Sequence, residues 1–191
     1  MKIECVILAA GASTRFGTPK ALARFKDKTL LRTAIDAAKA SLCTNVSVVL
    51  GAHQIAIQKN VPLEDVNVLL NPDFLEGMSS TIKCAVKALR SADAILFMTT
   101  DQPLVTTTHL NMLCNCFIQN SNIPVAAGFA NDFGIPTIVP GKLFSHLLKL
   151  SGDQGAKSVL MKNRVMSLPI ASAEFDIDTP NDLRRLQAQK G

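Results

Sequence analysis

Two glycines and two cations follow the first apolar segment of the chain. Residues 2–9, KIECVILA, are short, apolar and rich in β-branched side chains, which is typical of a buried strand. The segment that follows contains Gly11, Arg15, Gly17 and Lys20. Glycines let the backbone turn tightly and bring its N–H groups close to an anion. The spacing predicts a loop that binds a nucleoside triphosphate; the competing interpretation is that the glycines only form a turn.

The spacing of this loop excludes two common phosphate-binding motifs. A Walker A loop requires Gly-Lys followed by Ser or Thr, whereas Gly17 is followed by Thr18, Pro19 and Lys20. The dinucleotide fingerprint requires three glycines in a G-x-G-x-x-G pattern, and this segment lacks that pattern.

An acidic residue follows a later strand in a similar way. Residues 94–98, AILFM, are typical of a buried strand, and Asp101 comes shortly after it, before Pro103. Ligands of α/β sheets bind beyond the carboxyl ends of the strands, so Asp101 is expected to meet a triphosphate held by the first loop. A carboxylate there can hold Mg²⁺ for nucleotidyl transfer. The alternative is an aspartate in an ordinary turn.

Two further aspartates, Asp176 and Asp178, lie near the C-terminus. If this segment is extended, both side chains point to the same side. Thr179 and Pro180 follow, and these residue types suit the N-cap and the first position of a helix. Helix capping is therefore a strong competing interpretation for both aspartates.

Strands and helices alternate along the rest of the chain. This alternation predicts an α/β fold with a mostly parallel sheet, and 191 residues fit one domain, residues 1–191. Further strands are predicted at 45–50, 66–70, 124–127 and 136–139. Helices are predicted at 29–41, 78–89, 106–119, 143–150 and 154–161, with a short helix after His53 and a last one from Pro180 or Asn181.

Five segments in order resemble one known family. They are LAAGASTRFGTPK at 8–20, GMSSTI at 77–82, DQP at 101–103, GDQGAK at 152–157 and DIDTP at 176–180. Together they resemble the motifs of the MobA-like nucleotidyltransferases, and most closely those of the molybdenum cofactor cytidylyltransferase branch. The resemblance spans nearly the whole chain. It implies a single three-layer α/β/α domain of the nucleotide-diphospho-sugar transferase type, which is Rossmann-like.

The resemblance also implies an activity and the residues that carry it. CMP would pass from CTP to the terminal phosphate of the molybdenum cofactor, with Mg²⁺ held by Asp101 and Asp178, the latter chosen over Asp176 because it directly precedes Thr-Pro. Lys20, Arg15 and Asp101 are the expected catalytic residues: the two cations neutralise phosphates, and Lys20 also stabilises charge at the α-phosphate. The nucleotide-binding residues are expected to be Leu8, Ala9, Ala10, Gly11, Ser13, Arg15, Lys20, Gly77, Ser80, Thr81 and Asp101.

The sequence indicates the nucleotide base and the acceptor substrate less specifically than it indicates the reaction. Leu8-Ala9-Ala10-Gly11 is similar to the cytidylyl branch, and a methyl at Ala10 would narrow the base pocket against a purine, by ~1–3 kcal/mol at most. On the presumed acceptor side, Ile135 replaces the family's usual histidine. Three hypotheses stay open: transfer to a phosphorylated pterin, with a molybdoenzyme as recipient of the product; transfer to a sugar phosphate or another phosphorylated acceptor; or a chaperone that binds a nucleotide or pterin cofactor without catalysis. Ser80 and Thr81 are expected either to cap the helix or to contact the nucleotide.

Composition excludes several other classes of protein. The net charge is +5, but the basic residues are scattered and aromatic residues amount to 5% without Trp or Tyr, so no nucleic-acid platform is expected. No apolar run is long enough to span a bilayer, and the N-terminus is expected to be a core strand. The five cysteines lack paired CxxC spacing, which favours reduced thiols in a cytoplasmic protein. The three histidines, His53, His109 and His146, lack ligand spacing and are expected to be surface or structural residues.

Overall fold

A mostly parallel sheet forms the centre of the computed structural model, which describes residues 1–120, 122–129 and 132–188. In the described residues its strand order is β5-β4-β1-β6-β8-β7-β9, and β2 and β3 form a separate hairpin. The strands are β1 Ile3–Ala9, β2 Arg24–Phe25, β3 Lys28–Thr29, β4 Asn45–Leu50, β5 Asn67–Leu70, β6 Ala94–Thr99, β7 Val125–Phe129, β8 Asp132–Pro140 and β9 Met166–Pro169.

Helices connect these strands and cover both faces of the sheet. They are α1 Leu30–Lys39, α2 Gln54–Asn60, α3 Met78–Ala88, α4 Thr107–Gln119, α5 Phe144–Leu147, α6 Lys157–Leu160 and α7 Pro180–Ala188. Short 3-10 helices lie at Lys20–Leu22, Phe74–Glu76, Gly141–Leu143 and Ala171–Glu174. In the described part of the chain, no helix has both the length and the hydropathy that a membrane span requires.

Strand β1 organises the core because it is buried on both faces. It pairs in parallel with β4 on one side and β6 on the other. Its side chains alternate between two apolar clusters: Ile3 and Ile7 belong to one, Val6 and Leu8 to the other. The first cluster includes residues of α1 and α4, the second residues of α3 and α5. Burial of each Leu or Ile side chain stabilises the folded state by about 1.5–3 kcal/mol relative to leaving that side chain exposed. The three-layer α/β/α fold that the sequence predicts is confirmed.

Strand β8 runs in the direction opposite to that of its two neighbours in the sheet. It runs antiparallel to both β6 and β7, and Thr137 pairs with Phe97. Because of this reversal, the beginning of β8 lies at the same edge as the carboxyl ends of β1 and β6. The segment from Asp132 to Ile135 therefore reaches the edge where ligands of parallel sheets bind.

Several elements differ from the sequence predictions. Strand β8 begins at Asp132 instead of 136, and the two predicted helices at 143–150 and 154–161 shorten to α5 and α6. The β2–β3 hairpin and β9 were not predicted. Strands of two residues are too short to show a periodic pattern, and β9 alternates half-buried with exposed side chains and ends in Pro169.

Candidate active site

The loop after β1 is held in one conformation by Ser13. This residue has a positive φ of 53°, and its carbonyl accepts hydrogen bonds from the backbone N–H groups of Phe16 and Gly17, at 3.0 and 3.1 Å. Its Oγ accepts a third bond from the backbone N–H of Lys20, at 3.1 Å. Gly17 has a φ of 78°, which favours glycine. The turn therefore fixes the start of the lysine side chain relative to the strand end.

His53 holds the same loop from outside. Its Nε2 lies 3.0 Å from the carbonyl oxygen of Ala12. His109 caps α4 together with Thr106, whose N–H donates to the imidazole Nδ1 at 3.2 Å. Both histidines therefore have structural roles, as the sequence predicts, although nothing in the sequence linked His53 to this loop.

Four charged side chains from three distant segments meet at the sheet edge. The ammonium Nζ of Lys20 lies 2.9 Å from Asp101 Oδ2 and 3.1 Å from Asp178 Oδ1. Arg15 Nη1 lies 2.7 Å from the other oxygen of Asp178. We call these residues, Arg15, Lys20, Asp101 and Asp178, the ion cluster. From the sequence, Arg15 and Lys20 are predicted to bind phosphates, and Asp101 and Asp178 to bind a metal ion. The structure shows that the four side chains also contact one another.

Local hydrogen bonds position the segments that carry both aspartates. The backbone carbonyl of Asp101 accepts a bond from the N–H of Ile177 at 2.9 Å, which joins the two acidic loops. Helix α7 is capped by Thr179 and Asp182, because Asp182 Oδ2 accepts from the backbone N–H and the hydroxyl of Thr179, at 2.8 and 2.7 Å. The cap leaves the carboxylate of Asp178 facing Lys20 and Arg15. Capping therefore does not account for Asp178, which was the competing interpretation.

Burial and neighbouring charges act in opposite directions on Lys20. Burial lowers its pKa, but the charges and hydrogen bonds of Asp101 and Asp178 outweigh that effect, and the pKa is raised above the ordinary value. Lys20 is therefore a fixed positive charge at neutral pH. Burial first, and then the charge of Asp101, raise the pKa of Asp176 to about 6. Asp176 and Asp178 thus have different surroundings, although they are only two residues apart.

The two carboxylates of the ion cluster fit a divalent metal ion that also binds oxygen atoms of a substrate. In the described ranges, no group of three or more His, Cys, Asp or Glu side chains could enclose a metal ion. Two carboxylates nevertheless converge on one cation, the ammonium of Lys20, at 2.9 and 3.1 Å. Mg²⁺ is usually held by one or two carboxylates together with waters and substrate phosphates. Asp101 and Asp178 have the chemistry for this kind of site.

Two cavities meet at the ion cluster. The smaller, of about 280 Å³, lies over the loop after β1 and is lined by Leu8, Ala9, Gly11, Ser13 and Lys20, with Thr100 on its wall. The larger, of about 410 Å³, extends toward β8 and α6. Both are lined by the same five residues at their junction: Arg15, Met78, Thr99, Asp101 and Asp178. This arrangement allows a donor and an acceptor to bind side by side with charged groups between them.

The larger cavity is the more apolar of the two on its β8 side. Phe129, Phe133 and Ile135 line it, together with Lys157 and Gln102. Lys157 forms an ion pair with Asp132, and its Nζ lies 5.7 Å from the centre of the Phe133 ring. The sequence pointed to this region through its departures from the family pattern, Ile135 among them, and through Lys157 as a residue that could meet an anion on the acceptor side. Single aromatic residues in a strand give no signal that they line a cavity.

Four predicted nucleotide-binding residues do not line the smaller cavity: Ala10, Gly77, Ser80 and Thr81. Ala10 is 2% exposed, and its methyl packs in the core cluster of Val6 and Leu8. Ser80 and Thr81 are also buried, and both hydroxyls accept hydrogen bonds from Asn71 Nδ2, at 2.9 and 3.2 Å. Ser80 donates in turn to the carbonyl of Gly77 at 2.9 Å. The side chains of this motif therefore stabilise the start of α3, and Met78 is the member that reaches the cavities.

Gly77 packs the start of α3 against the loop before α6. Its φ is 91°, and an added Cβ would lie 2.7 Å from the backbone of Gly152 and 2.5 Å from Asp153 Oδ1. The backbone N–H of Ser79 donates to the carbonyl of Gly152 at 3.0 Å. Two motifs that lie far apart in the sequence, at 77–82 and 152–157, thus form one wall of the site.

The sequence profile of the MobA-like NTP transferase domain matches residues 5–166. The chain therefore belongs to the MobA-like NTP transferase family, and the site described above lies on a nucleotidyltransferase domain.

Individual relatives are similar over almost their full length. The chain is 31% identical to nicotine blue oxidoreductase of Paenarthrobacter nicotinovorans, over 95% of this chain and 94% of that protein. It is 25% identical to molybdenum cofactor cytidylyltransferase of Escherichia coli K12, over 94% and 93%. A solved structure of Rv0371C from Mycobacterium tuberculosis H37Rv, in complex with manganese, is 26% identical and superimposes with a TM-score of 0.84, covering 98% of this chain and 99% of that one.

Gly11 and Gly77 have different surroundings, so an added methyl group tests nucleotide binding at Gly11 and folding stability at Gly77. An added Cβ at Gly11 would meet no atom within 4 Å, whereas one at Gly77 would collide with backbone. We expect Gly11→Ala to keep the thermal stability of the wild type, within about 0.5 kcal/mol, and to weaken nucleotide binding, since one methyl typically changes binding by ~1–3 kcal/mol. Gly77→Ala should instead lower stability by about 1–3 kcal/mol.

Thermal melting and nucleotide titration of both variants test this pair. A Gly11→Ala protein that binds nucleotide like the wild type would show that ligand does not approach this part of the loop.

Proposed function

We propose that the protein transfers CMP from CTP to the terminal phosphate of a phosphorylated pterin, the molybdenum cofactor, and releases pyrophosphate. The observation that carries the proposal is the junction of two cavities at the ion cluster. In the proposed reaction, an acceptor phosphate oxygen attacks the α-phosphorus in line, a new P–O bond forms, and the bond to the β-phosphate oxygen breaks. The similarity to the E. coli cytidylyltransferase supports this choice of reaction.

Lys20 and Arg15 have different roles in the proposal. Lys20 is 16% exposed and anchored through its backbone N–H, so its charge can remain at one position as negative charge develops during transfer. Arg15 is 74% exposed and lines both cavities, so it can follow the phosphates as they bind. Both cations pair with carboxylates in the structure described here, and the proposal gives them phosphate oxygens as alternative partners.

Asp101 and Asp178 would hold a divalent ion, for which Mg²⁺ is proposed. When bound, the ion supplies charge neutralisation and orientation of the phosphate oxygens. The manganese complex of the mycobacterial relative supports a divalent ion on this fold. The chain's own contribution is to hold the two carboxylates on neighbouring loops, through the bond between Asp101 and Ile177.

The similarity to the E. coli cytidylyltransferase supports CTP as the nucleotide, and this replaces the reason given by the sequence. Ala10 is buried in the core, so its methyl does not narrow the base pocket as expected from the sequence. Leu8, Ala9 and Gly11, which the sequence also assigned to the nucleotide, do line the cavity over the loop.

The lining of the larger cavity supports a flat acceptor with an anionic group. Phe129, Phe133 and Ile135 offer apolar and aromatic surface to a planar ring, and Lys157 and Arg15 offer charge to a phosphate. In the proposal, the product then passes to a molybdoenzyme.

Pyrophosphate release with matched substrates tests the proposed reaction. We expect release with CTP, Mg²⁺ and the phosphorylated pterin, and much slower release when GTP replaces CTP or a hexose phosphate replaces the pterin, because the proposed donor is CTP and the aromatic wall of the larger cavity favours a planar acceptor. The measurement is pyrophosphate formed per enzyme, with acceptor omitted as the control. Equal rates with GTP, or release that does not depend on the pterin, would contradict the proposal.

Kinetics of Lys20→Ala and Arg15→Ala test the two roles. Interactions made only in the transition state change kcat, whereas those made equally with bound substrate change KM. We expect Lys20→Ala to lower kcat by on the order of 10²-fold or more, as for other lost electrostatic stabilisers. Arg15→Ala should chiefly raise the KM for CTP. Lys87→Ala, an exposed lysine on α3, is the matched control. Wild-type kinetics for Lys20→Ala would remove its assigned role.

A further inference from the structure

Three thiols meet inside the protein near the amino-terminal ends of the parallel strands. They come from β1, from the loop between α1 and β4, and from α4: Cys5, Cys43 and Cys114. The Sγ atoms of Cys43 and Cys114 lie 3.9 Å apart. Cys5 also interacts with Cys43 through its thiol. The ion cluster lies at the opposite ends of these strands, so the proposed transfer reaction does not use this group.

Cys43 is the member of the group that solvent can reach. It is partly exposed and lines a cavity of about 380 Å³ together with Lys39, Asn45 and Asp65. Cys5 and Cys114 are each 0% exposed. A small oxidant that enters the cavity therefore meets Cys43 first, with Cys114 directly behind it.

The neighbouring thiols favour the thiolate form of Cys43. Hydrogen bonds from Cys114 and Cys5 lower the pKa of the Cys43 thiol, and they outweigh the opposing effect of burial. The pKa of Cys114 is raised, first by its bond to Cys43 and then by burial. One thiol of the pair is thus suited to react as a nucleophile, while the other keeps its proton.

The backbone already holds the two cysteines for bond formation. The N–H of Leu42 donates to Asn111 Oδ1 on α4 at 2.8 Å, one residue before Cys43 and one helical turn before Cys114. A disulfide requires an S–S distance of about 2.05 Å, so the sulfur atoms must approach by roughly 2 Å. Cys43 lies in a loop, where side-chain and backbone adjustment is easier than in the central strand that carries Cys5.

We propose that Cys43 is a modification site for hydroperoxides and that Cys114 resolves the product into a reversible disulfide. The Cys43 thiolate attacks one peroxide oxygen, the O–O bond breaks, and with one proton taken up the products are a sulfenic acid and water or an alcohol. The Cys114 sulfur then attacks the sulfenic sulfur, its proton leaves with the hydroxyl as water, and the S–S bond forms. Over the two steps the two cysteine sulfurs together lose two electrons, and the peroxide is reduced by the same two electrons.

Mapping of the oxidised thiols tests this proposal. Cys114 and Cys116 lie in the same tryptic peptide, so the experiment uses Cys116→Ser as the parent protein. After treatment with hydrogen peroxide and alkylation, mass spectrometry should show the peptides of Cys43 and Cys114 joined, and dithiothreitol should separate them. The matched control is Cys84→Ser, which removes a partly exposed thiol elsewhere and should leave the bridge intact. A disulfide that joins other cysteines, or no loss of free thiols, would overturn the proposal.

Two further readouts keep the test independent of any one variant. In the double variant Cys5→Ala/Cys114→Ala no neighbouring thiol remains to resolve the sulfenic acid, so dimedone should label Cys43, and it should not label this position when Cys43→Ala is added. In the parent protein, the bridge would close a loop of 71 residues, so oxidation should raise Tm by several degrees and reduction should restore it. Dimedone labelling at Cys84 in place of Cys43, or a bridge that dithiothreitol does not reverse, would contradict the proposal.

Discussion

The site depends on one interaction, the contact of the Lys20 ammonium with two carboxylates that lie far apart in the sequence, one in the middle of the chain and one near its C-terminus. Asp101 follows β6, and Asp178 precedes α7, yet both lie within 3.1 Å of the same Nζ atom. Each partner balances the charge of the others while their solvation is reduced, which is the condition for keeping ionised groups partly buried. Loss of the lysine would leave two carboxylates close together without compensation. The cluster thus stabilises the geometry that the proposed reaction requires.

The strand directions of the sheet bring the charged groups of the ion cluster to one edge. Parallel pairing places the ends of β1 and β6 at one edge, and the antiparallel β8 returns the chain to that edge with Phe133 and Ile135. A fully parallel sheet would present only strand ends and their following loops there. The reversal supplies an apolar wall on one side of the ion cluster, so two cavities with different linings share one set of charges. This difference supports different ligands for the two sides.

Sequence alone predicts the parts of this site whose signals are local. A buried strand followed by glycines and cations indicates the first loop, and Asp101 follows its strand in the same way, so Lys20, Arg15 and Asp101 could be identified from the residues. The choice of Asp178 over Asp176 came from the family pattern. Long-range packing could not be predicted: Ser80 and Thr81 are held by Asn71, which the sequence indicates only as a turn residue. The burial of Ala10 likewise depends on the helices that cover the sheet.

Binding of Mn²⁺ measured by electron paramagnetic resonance tests the central claim most directly. The claim is that Asp101 and Asp178 form one cation site that a nucleotide completes. The account predicts that the wild type binds Mn²⁺ much more tightly with CTP present than without it. The double variant Asp101→Asn/Asp178→Asn should lose this binding, while Asp36→Asn, which removes an ion pair on α1, should keep it. Retention of CTP-dependent Mn²⁺ binding by a folded double variant would contradict the account.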